Sequence, residues 1–397
     1  PSVEAKIGIV RPAVSLPGAA RWEPKSLSKP PAMDWAEGTE VRSLFFRGEP
    51  YQGKPTRVFA YYATPGMLAG DPSRDKNLPA IVLVHGGGGK AFPQWAKLWA
   101  SRGYAAIAMD LSGNGPGKKR LEDGGPQQTD GVIFGSMDQP VTDQWTYHSV
   151  ANVILAHSLI RSFPEVDSKR TAITGISWGG YLPCIVAGLD NRFKAAVPVY
   201  GCGFLHENSV WLSRFAKMTD EDRARWIRLW DPSQYVGAAA MPMLFVNGGL
   251  DFAYPPDSHA KTYALVQSEK NLHFVPSLKH GHVFDRPKAV EIFIAHHLKE
   301  EAALAKVTMI QRGQTQMTAE VISPVPLLKA QLHYTAGDLA AGTKDRKWLS
   351  LPATIHGSTL KAPLPPEDAT VWFLTVEDDR KVVVSSPLMF PERKKAD

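Results

Sequence analysis

The stretch TAITGISWGGYL, residues 171–182, sets a serine between a β-branched apolar run and a pair of glycines. RTAITGI (170–176) has the branched, continuously apolar character of a buried strand, and YLPCIVAGL (181–189) reads as a buried helix. Between them, Gly175 to Gly179 fits G-x-S-x-G, the sharp strand-to-helix turn that lifts a serine hydroxyl above a sheet. Glycines flank such a serine because a Cβ there crowds the neighbouring strand and helix. The helix that follows points its N-terminal dipole at the serine, which favours the negative charge that develops during acyl transfer. Ser177 is therefore a candidate nucleophile, with a plain turn serine as the competing reading.

The alternation continues outward from this turn. VRSLFFRG, RVFAYYAT, AIVLVHGGGG and YAAIAMDLSG upstream read as strands, and FPQWAKLWASRG between the last two reads as a helix stopped by Gly103. WTYHSVANVILAHSLIRSF is a further helix. Downstream, KAAVPVY, MPMLFVNG and NLHFVP read as strands, HAKTYALVQ as a helix, and AVEIFIAHHLKEEAAL as a closing helix to residue 304. Short apolar strands alternating with helices predict a mostly parallel, eight-stranded sheet covered on both faces, an α/β class fold. Two long interruptions, near 111–143 and 203–236, follow strands and so belong at the carboxyl edge of the sheet, where they would wall a pocket. The proline-rich residues 1–40 read as an extended arm, 41–304 as the main domain, and 305–397 as a smaller all-β sandwich of seven short alternating strands.

A serine hydroxyl attacks a carbonyl only when an imidazole takes its proton and an acid orients that imidazole. FVNGGLDFAYPPD ends a strand and offers Asp251 in the loop beyond; Asp257, after two prolines, reads as a helix N-cap instead. NLHFVPSLKHGHVF supplies His280 and His282 in one loop, whereas His273 lies inside the strand and reads as packed. The residues alone leave His280 and His282 both open as the base. The order Ser, Asp, His is that of α/β-hydrolases. An oxyanion hole needs two backbone N–H groups: Trp178, next to the nucleophile, and Gly87, with Gly88 as the second choice, from HGGGG at 85–89. His85 reads as structural. Trp145, Tyr147, His148, Trp211, Trp226 and Trp230 fall in segments expected near the pocket, where aromatic faces suit sugar rings; the competing reading is that most of them are core residues of the lids. Trp348 and Trp372 of the C-terminal strands read as core.

Composition removes several classes. Hydrophobic residues make up 44% and charged residues 21% of the 397 residues, which is ordinary for a globule. A formal net charge of +6, with Lys and Arg scattered among the acids, gives nucleic-acid binding no support. PERKK near the C-terminus reads as a solvated tail, and no apolar run is long enough for a membrane span. Cys184 and Cys202 are too few for a disulfide framework, and their pairing is not readable. No metal or cofactor is expected, and the start at Pro1 is read as a processed or trimmed one.

LVHGGGGKAFPQWAKLWASRGYAAIAMDLSGNG, GISWGGYL, WDPSQYV, FVNGGLDFAYPPDS and VPSLKHGH together resemble the acetyl xylan esterase and dienelactone hydrolase-like branch of the α/β-hydrolase superfamily, over about residues 41–300. The resemblance implies a P-x-x-G-H pattern for the catalytic histidine. Counting from Pro276 it favours His280, although Lys279 stands where relatives have glycine and His282 does follow Gly281. Dienelactone hydrolases proper use cysteine where this chain has Ser177. The resemblance implies a serine carboxylesterase that removes acyl groups, acetyl foremost, from carbohydrates or similar polar alcohols, and a periplasmic or secreted bacterial location. A prolyl oligopeptidase-like peptidase or amidase shares the fold, but such enzymes carry a β-propeller for which this chain has no room. A catalytically silent carbohydrate-binding protein is the third reading.

Overall fold

The structure is a computed structural model that describes residues 22–342 and 345–391. The first half of the expected arm and the basic run at 392–395 lie outside the described residues. The main sheet is built from β1 (Met33–Trp35), β2 (Arg42–Tyr51), β3 (Lys54–Ala63), β4 (Leu78–Val84), β5 (Ala105–Met109), β6 (Val166–Ile176), β7 (Ala195–Val199), β8 (Met243–Leu250) and β9 (Lys270–Lys279). Their pairings give the spatial order β1-β2-β3-β5-β4-β6-β7-β8-β9. From β5 to β9 all neighbours are parallel, while β3 runs antiparallel to both β2 and β5. The chain winds one way from β4 to β5 and then jumps back across β4 to β6. That reversal opens a crevice above the carboxyl ends of β4 and β6, the place where open α/β sheets bind ligands.

β5 and β7 are buried at every residue and β4 at all but its first, as expected of strands covered on both sides. On one face, α3 (Pro93–Ser101), against which the short α2 (Pro65–Leu68) packs, and α10 (Lys288–Lys299) lie side by side, tied by Arg102–Glu291 and by Lys299 Nζ donating to Arg102 O. The other face carries α5 (Trp145–Ile160), α6 (Trp178–Leu189) and α9 (Pro256–Leu265). All 16 residues of α5 are buried, because the described part of the arm covers its outer side. Trp22 stacks on Tyr147 and donates its indole N–H to Tyr147 O at 3.1 Å, and Ser158 Oγ donates to Leu27 O at 2.6 Å. So residues 22–40 are not simply extended: they hold the turn of helix α1 (Pro24–Leu27), whose proline sits where a helix needs no N–H, and the strand β1.

Three further expectations are corrected. The closing helix stops at Lys299 rather than running to 304, because Glu300 turns left-handed with φ 59° and caps it. The interruptions are not structureless: 111–143 contains α4 (Asp130–Gly135), and 203–236 contains α7 (Leu212–Phe215) and α8 (Asp220–Trp230). Asp257 is not the N-cap of α9 but lies inside its first turn, where it accepts from Asn208 Nδ2 at 3.0 Å.

From Lys306 onward the described chain is strand-rich: β10 (Lys306–Val307), β11 (Gln311–Arg312), β12 (Gln316–Ile322), β13 (Leu327–Ala336), β14 (Trp348–His356), β15 (Thr359–Pro363), β16 (Ala369–Asp378) and β17 (Val383–Ser385). All pair antiparallel. β14 pairs with β13 through residues 348–353 and with β15 through 354–356, so it passes from one group of strands to the other. Met317, Ala319, Val321, Leu360 and Ala362 alternate inward along β12 and β15. This region continues the main sheet, since Ser385 of β17 pairs with Leu272 of β9 and its hydroxyl bridges Phe274 N and O. Trp372 is buried and Trp348 half-buried, in line with core roles.

Candidate active site

Ser177 sits between β6 and α6 with φ 64° and ψ −122°, a backbone state that side chains other than glycine's rarely adopt. Its surroundings hold it there. Ser177 N donates to Val199 O at 2.9 Å, and Ser177 O accepts from Gly180 N at 2.7 Å and Tyr181 N at 2.9 Å. The glycines around it are sterically required: a Cβ on Gly175 would stand 1.9 Å from Gly179 O, and one on Gly179 would stand 1.9 Å from Val84 O. Gly179→Ala therefore forces β4 and α6 apart; the expected outcome is loss of the folded protein, read by circular dichroism and thermal melting, because the atoms it meets, in Val84 and His85, are all backbone.

The register of two strands brings the remaining partners to the serine. β8 and β9 pair in parallel up to Leu250 opposite Lys279, so the next residues of each, Asp251 and His280, emerge side by side. His280 Nδ1 lies 2.8 Å from Asp251 Oδ2, and His280 Nε2 lies 2.9 Å from Ser177 Oγ. Asp251 is 2% exposed, and its Oδ1 accepts from Ala253 N at 2.7 Å and Tyr254 N at 2.9 Å. With Oδ1 engaged by the turn, Oδ2 is the oxygen that faces the imidazole. Tyr200, Phe252 and Tyr254 surround the His280 ring at 4.6, 5.0 and 6.0 Å.

His282 is carried elsewhere. Its ring lies by Phe92 and Phe284, and its Nε2 faces Gly86, where a Cβ would stand 2.7 Å away. Burial, with His280 and His85 adding to it, lowers its pKa, so it is neutral at pH 7.

The HGGGG turn packs against the serine. A Cβ on Gly86 would stand 2.9 Å from Ser177 Cβ, and one on Gly87 would stand 2.7 Å from Trp178 Cδ1, so these two backbones press directly on the turn that carries Ser177. Gly88 takes positive φ with open space at its Cβ position, and its carbonyl accepts from Lys118 Nζ. Trp178 N is the first N–H of α6, a position with no carbonyl four residues back inside the helix to accept from it. His85 is structural: Nδ1 donates to Gly86 O at 2.8 Å, Nε2 accepts from Leu111 N at 2.9 Å, and full burial lowers its pKa.

The residues expected to wall the pocket are all buried. Trp145 donates to Leu111 O at 2.7 Å, Trp226 to Ile133 O at 3.1 Å, Trp230 to Gln144 Oε1 at 2.7 Å and Tyr147 to Glu49 Oε2 at 3.0 Å. His148 packs edge-on to Tyr51, its pKa lowered to about 4 by burial. These five side chains are the buried packing of the insertions and of α5, as the competing lid-core reading expects. Trp211 packs on Trp178 at 4.6 Å and on Tyr254 at 5.2 Å, so with Trp145 it backs Trp178, the residue after Ser177. Tyr254 escaped the sequence reading. Its fully buried hydroxyl has Ser177 as a polar neighbour, and burial with Cys202 and Asp251 nearby pushes its pKa well up, leaving a neutral phenol. The only clue in the sequence was its place three residues after Asp251. Cys184 and Cys202 are free, buried thiols. Among the described residues, no three His, Cys, Asp or Glu side chains gather as a metal-holding group, and no helix is long and apolar enough to cross a membrane.

Residues 36–283 match the model of the acetyl xylan esterase (AXE1) family. An acetyl xylan esterase from Paenibacillus sp. R4 superposes with a TM-score of 0.58 at 22% identity, over 69% of this chain and 92% of that one. The acetyl esterase Axe7A of Xylanibacter ruminicola is 21% identical over 224 residues, covering 53% of this chain and 51% of that protein. The uncharacterized peptidase YuxL of Bacillus subtilis is 24% identical over 222 residues, covering 50% of this chain and 29% of that protein. The chain thus spans about half, or less, of the length of these two curated relatives.

Proposed function

This chain belongs to the acetyl xylan esterase family, and on that premise we propose that it is a serine carboxylesterase that removes acyl groups, acetyl foremost, from carbohydrates or similar polar alcohols. The observation that carries the proposal is the chain of short contacts from Asp251 through His280 to Ser177. In the first half-reaction Ser177 Oγ bonds to the ester carbonyl carbon while its proton passes to His280 Nε2. The carbonyl oxygen takes the electron pair and the negative charge, facing the N–H groups of Gly87 and Trp178. Collapse breaks the C–O bond to the alcohol, which leaves with the proton from His280. Water then attacks the acyl-enzyme with His280 as base, and the carboxylic acid departs as Ser177 regains its proton. An exported location goes with such a substrate.

The test is a panel of acetylated xylan, acetylated monosaccharides, aryl esters, methyl esters and peptide amides. Hydrolysis of acetyl esters with amides untouched is expected; amide hydrolysis without ester hydrolysis would transfer the site to peptidase chemistry. His280→Ala should lower kcat by about 10⁴ or more. His282→Ala, which removes an imidazole that makes no hydrogen bond or ion pair with Asp251 or Ser177, should stay within about tenfold of the wild type. Steady-state kinetics of the two variants side by side read this out; equal losses would contradict the assignment of the base.

A further inference from the structure

Asp251 hangs from a turn whose two sides are gripped by residues nearly a hundred positions away. Gly249 O, two residues before the carboxylate, accepts from Trp348 Nε1 at 3.0 Å and from Arg346 Nη1 at 3.1 Å. Phe252 O, one residue after it, accepts from Gly342 N at 2.8 Å. The same connection between β13 and β14 is anchored at Asn208, whose Nδ2 donates to Leu339 O at 3.0 Å and whose Oδ1 accepts from Ala341 N at 3.1 Å. Gly249 carries the imprint of this contact, since a Cβ there would stand 2.2 Å from Trp348 Nε1. Arg346 is 6% exposed, and its Nη2 reaches the carbonyls of Leu339 and Ala340 at 3.4 Å each.

Burying a guanidinium is costly, and docking one strand group on another needs only apolar area. A charged, five-donor side chain in such a place suits another role, that of holding several backbone carbonyls in fixed relation. Burial lowers its pKa from the ordinary arginine value, and the nearby carboxylates of Asp257, Asp338 and Asp251 oppose that shift. Because Asp251 Oδ1 is bound by its own turn, the turn moves as one piece, and whatever fixes Gly249 and Phe252 also fixes Oδ2 against His280.

We propose that Arg346 and Trp348, with Gly342, are the positioning residues of the acid in the triad, which makes the C-terminal strand-rich region a working part of the active site. This rests on the reading of Ser177, His280 and Asp251 as the reacting constellation. A displacement of about 1 Å at such a constellation costs about a hundredfold in rate.

The test uses the full chain with Trp348→Phe, Arg346→Gln and Arg346→Lys. It reads kcat and KM on a short aryl acetate, the rate of phosphonylation by an alkyl fluorophosphonate, and the thermal midpoint. Trp348→Phe and Arg346→Gln should each lower kcat and the phosphonylation rate by about tenfold or more, with KM changed by less than about twofold. Arg346→Lys, which keeps one cationic donor for Gly249 O, should recover part of the loss. Should Arg346→Gln fail to fold, Trp348→Phe decides alone, because phenylalanine keeps the packing of this half-buried ring on Phe274 and Phe373. Folded variants phosphonylated at the wild-type rate overturn the positioning role while leaving the site's reading intact. A wild type that takes no phosphonate at Ser177 overturns both.

Discussion

Ser177→Ala should leave the melting curve unchanged and lower turnover of a short aryl acetate by about 10⁴ to 10⁶. The size follows from chemistry: without the hydroxyl no acyl-enzyme forms, and what remains is binding and the polarising backbone N–H groups. The intact fold follows from geometry. Alanine keeps the Cβ, so it meets the same φ of 64° that the serine already tolerates, and the bonds that hold the turn are all main-chain. Steady-state kinetics with a melting curve on the same preparation check both halves. Retained turnover would remove the serine from the reaction.

Asp251→Asn should cost about 10⁴ in kcat with the fold again intact. Oδ1 of Asp251 accepts from two amides of its own turn, and only an oxygen can fill that position. The asparagine oxygen therefore stays there, and its NH₂ takes the place of Oδ2 beside His280 Nδ1. Facing a donor, Nδ1 must accept, so the imidazole proton moves to Nε2, where it points at Ser177 Oγ and leaves no lone pair for the serine proton. The residue keeps its shape and the base is in the wrong tautomer. kcat/KM across pH for the variant and the wild type checks this, and a loss below tenfold would show that the acid does not set the tautomer.

Much of this arrangement was legible along the chain, for local reasons. Gly175, Ser177 and Gly179 announce their turn because the clashes that demand glycine lie within a few residues or on the adjacent strand. Asp251 was readable as the first acid after an apolar strand. His280 and His282 could not be separated from residues alone, since both follow the same strand. What decides is the pairing of Leu250 with Lys279, a register between strands that sets 280 rather than 282 beside 251. α8 was missed although its signal was present: Thr219 caps it by accepting from Asp222 N at 3.0 Å, three acids fill its first turn, and Trp226 and Trp230 fall one turn apart. Trp226 and Trp230 drew attention as sugar platforms because sequence shows an aromatic ring but not which side of a lid it faces. The grip of Arg346 and Trp348 on Gly249 was invisible, being a contact across 97 and 99 positions.

The most direct measurement is to inactivate the wild-type protein with an alkyl fluorophosphonate and locate the adduct by peptide mass mapping. The account predicts one phosphonyl group per chain, on Ser177, with ester turnover lost in proportion to labelling. Turnover that survives full labelling of Ser177, or is lost through an adduct on another residue while Ser177 stays free, would contradict it.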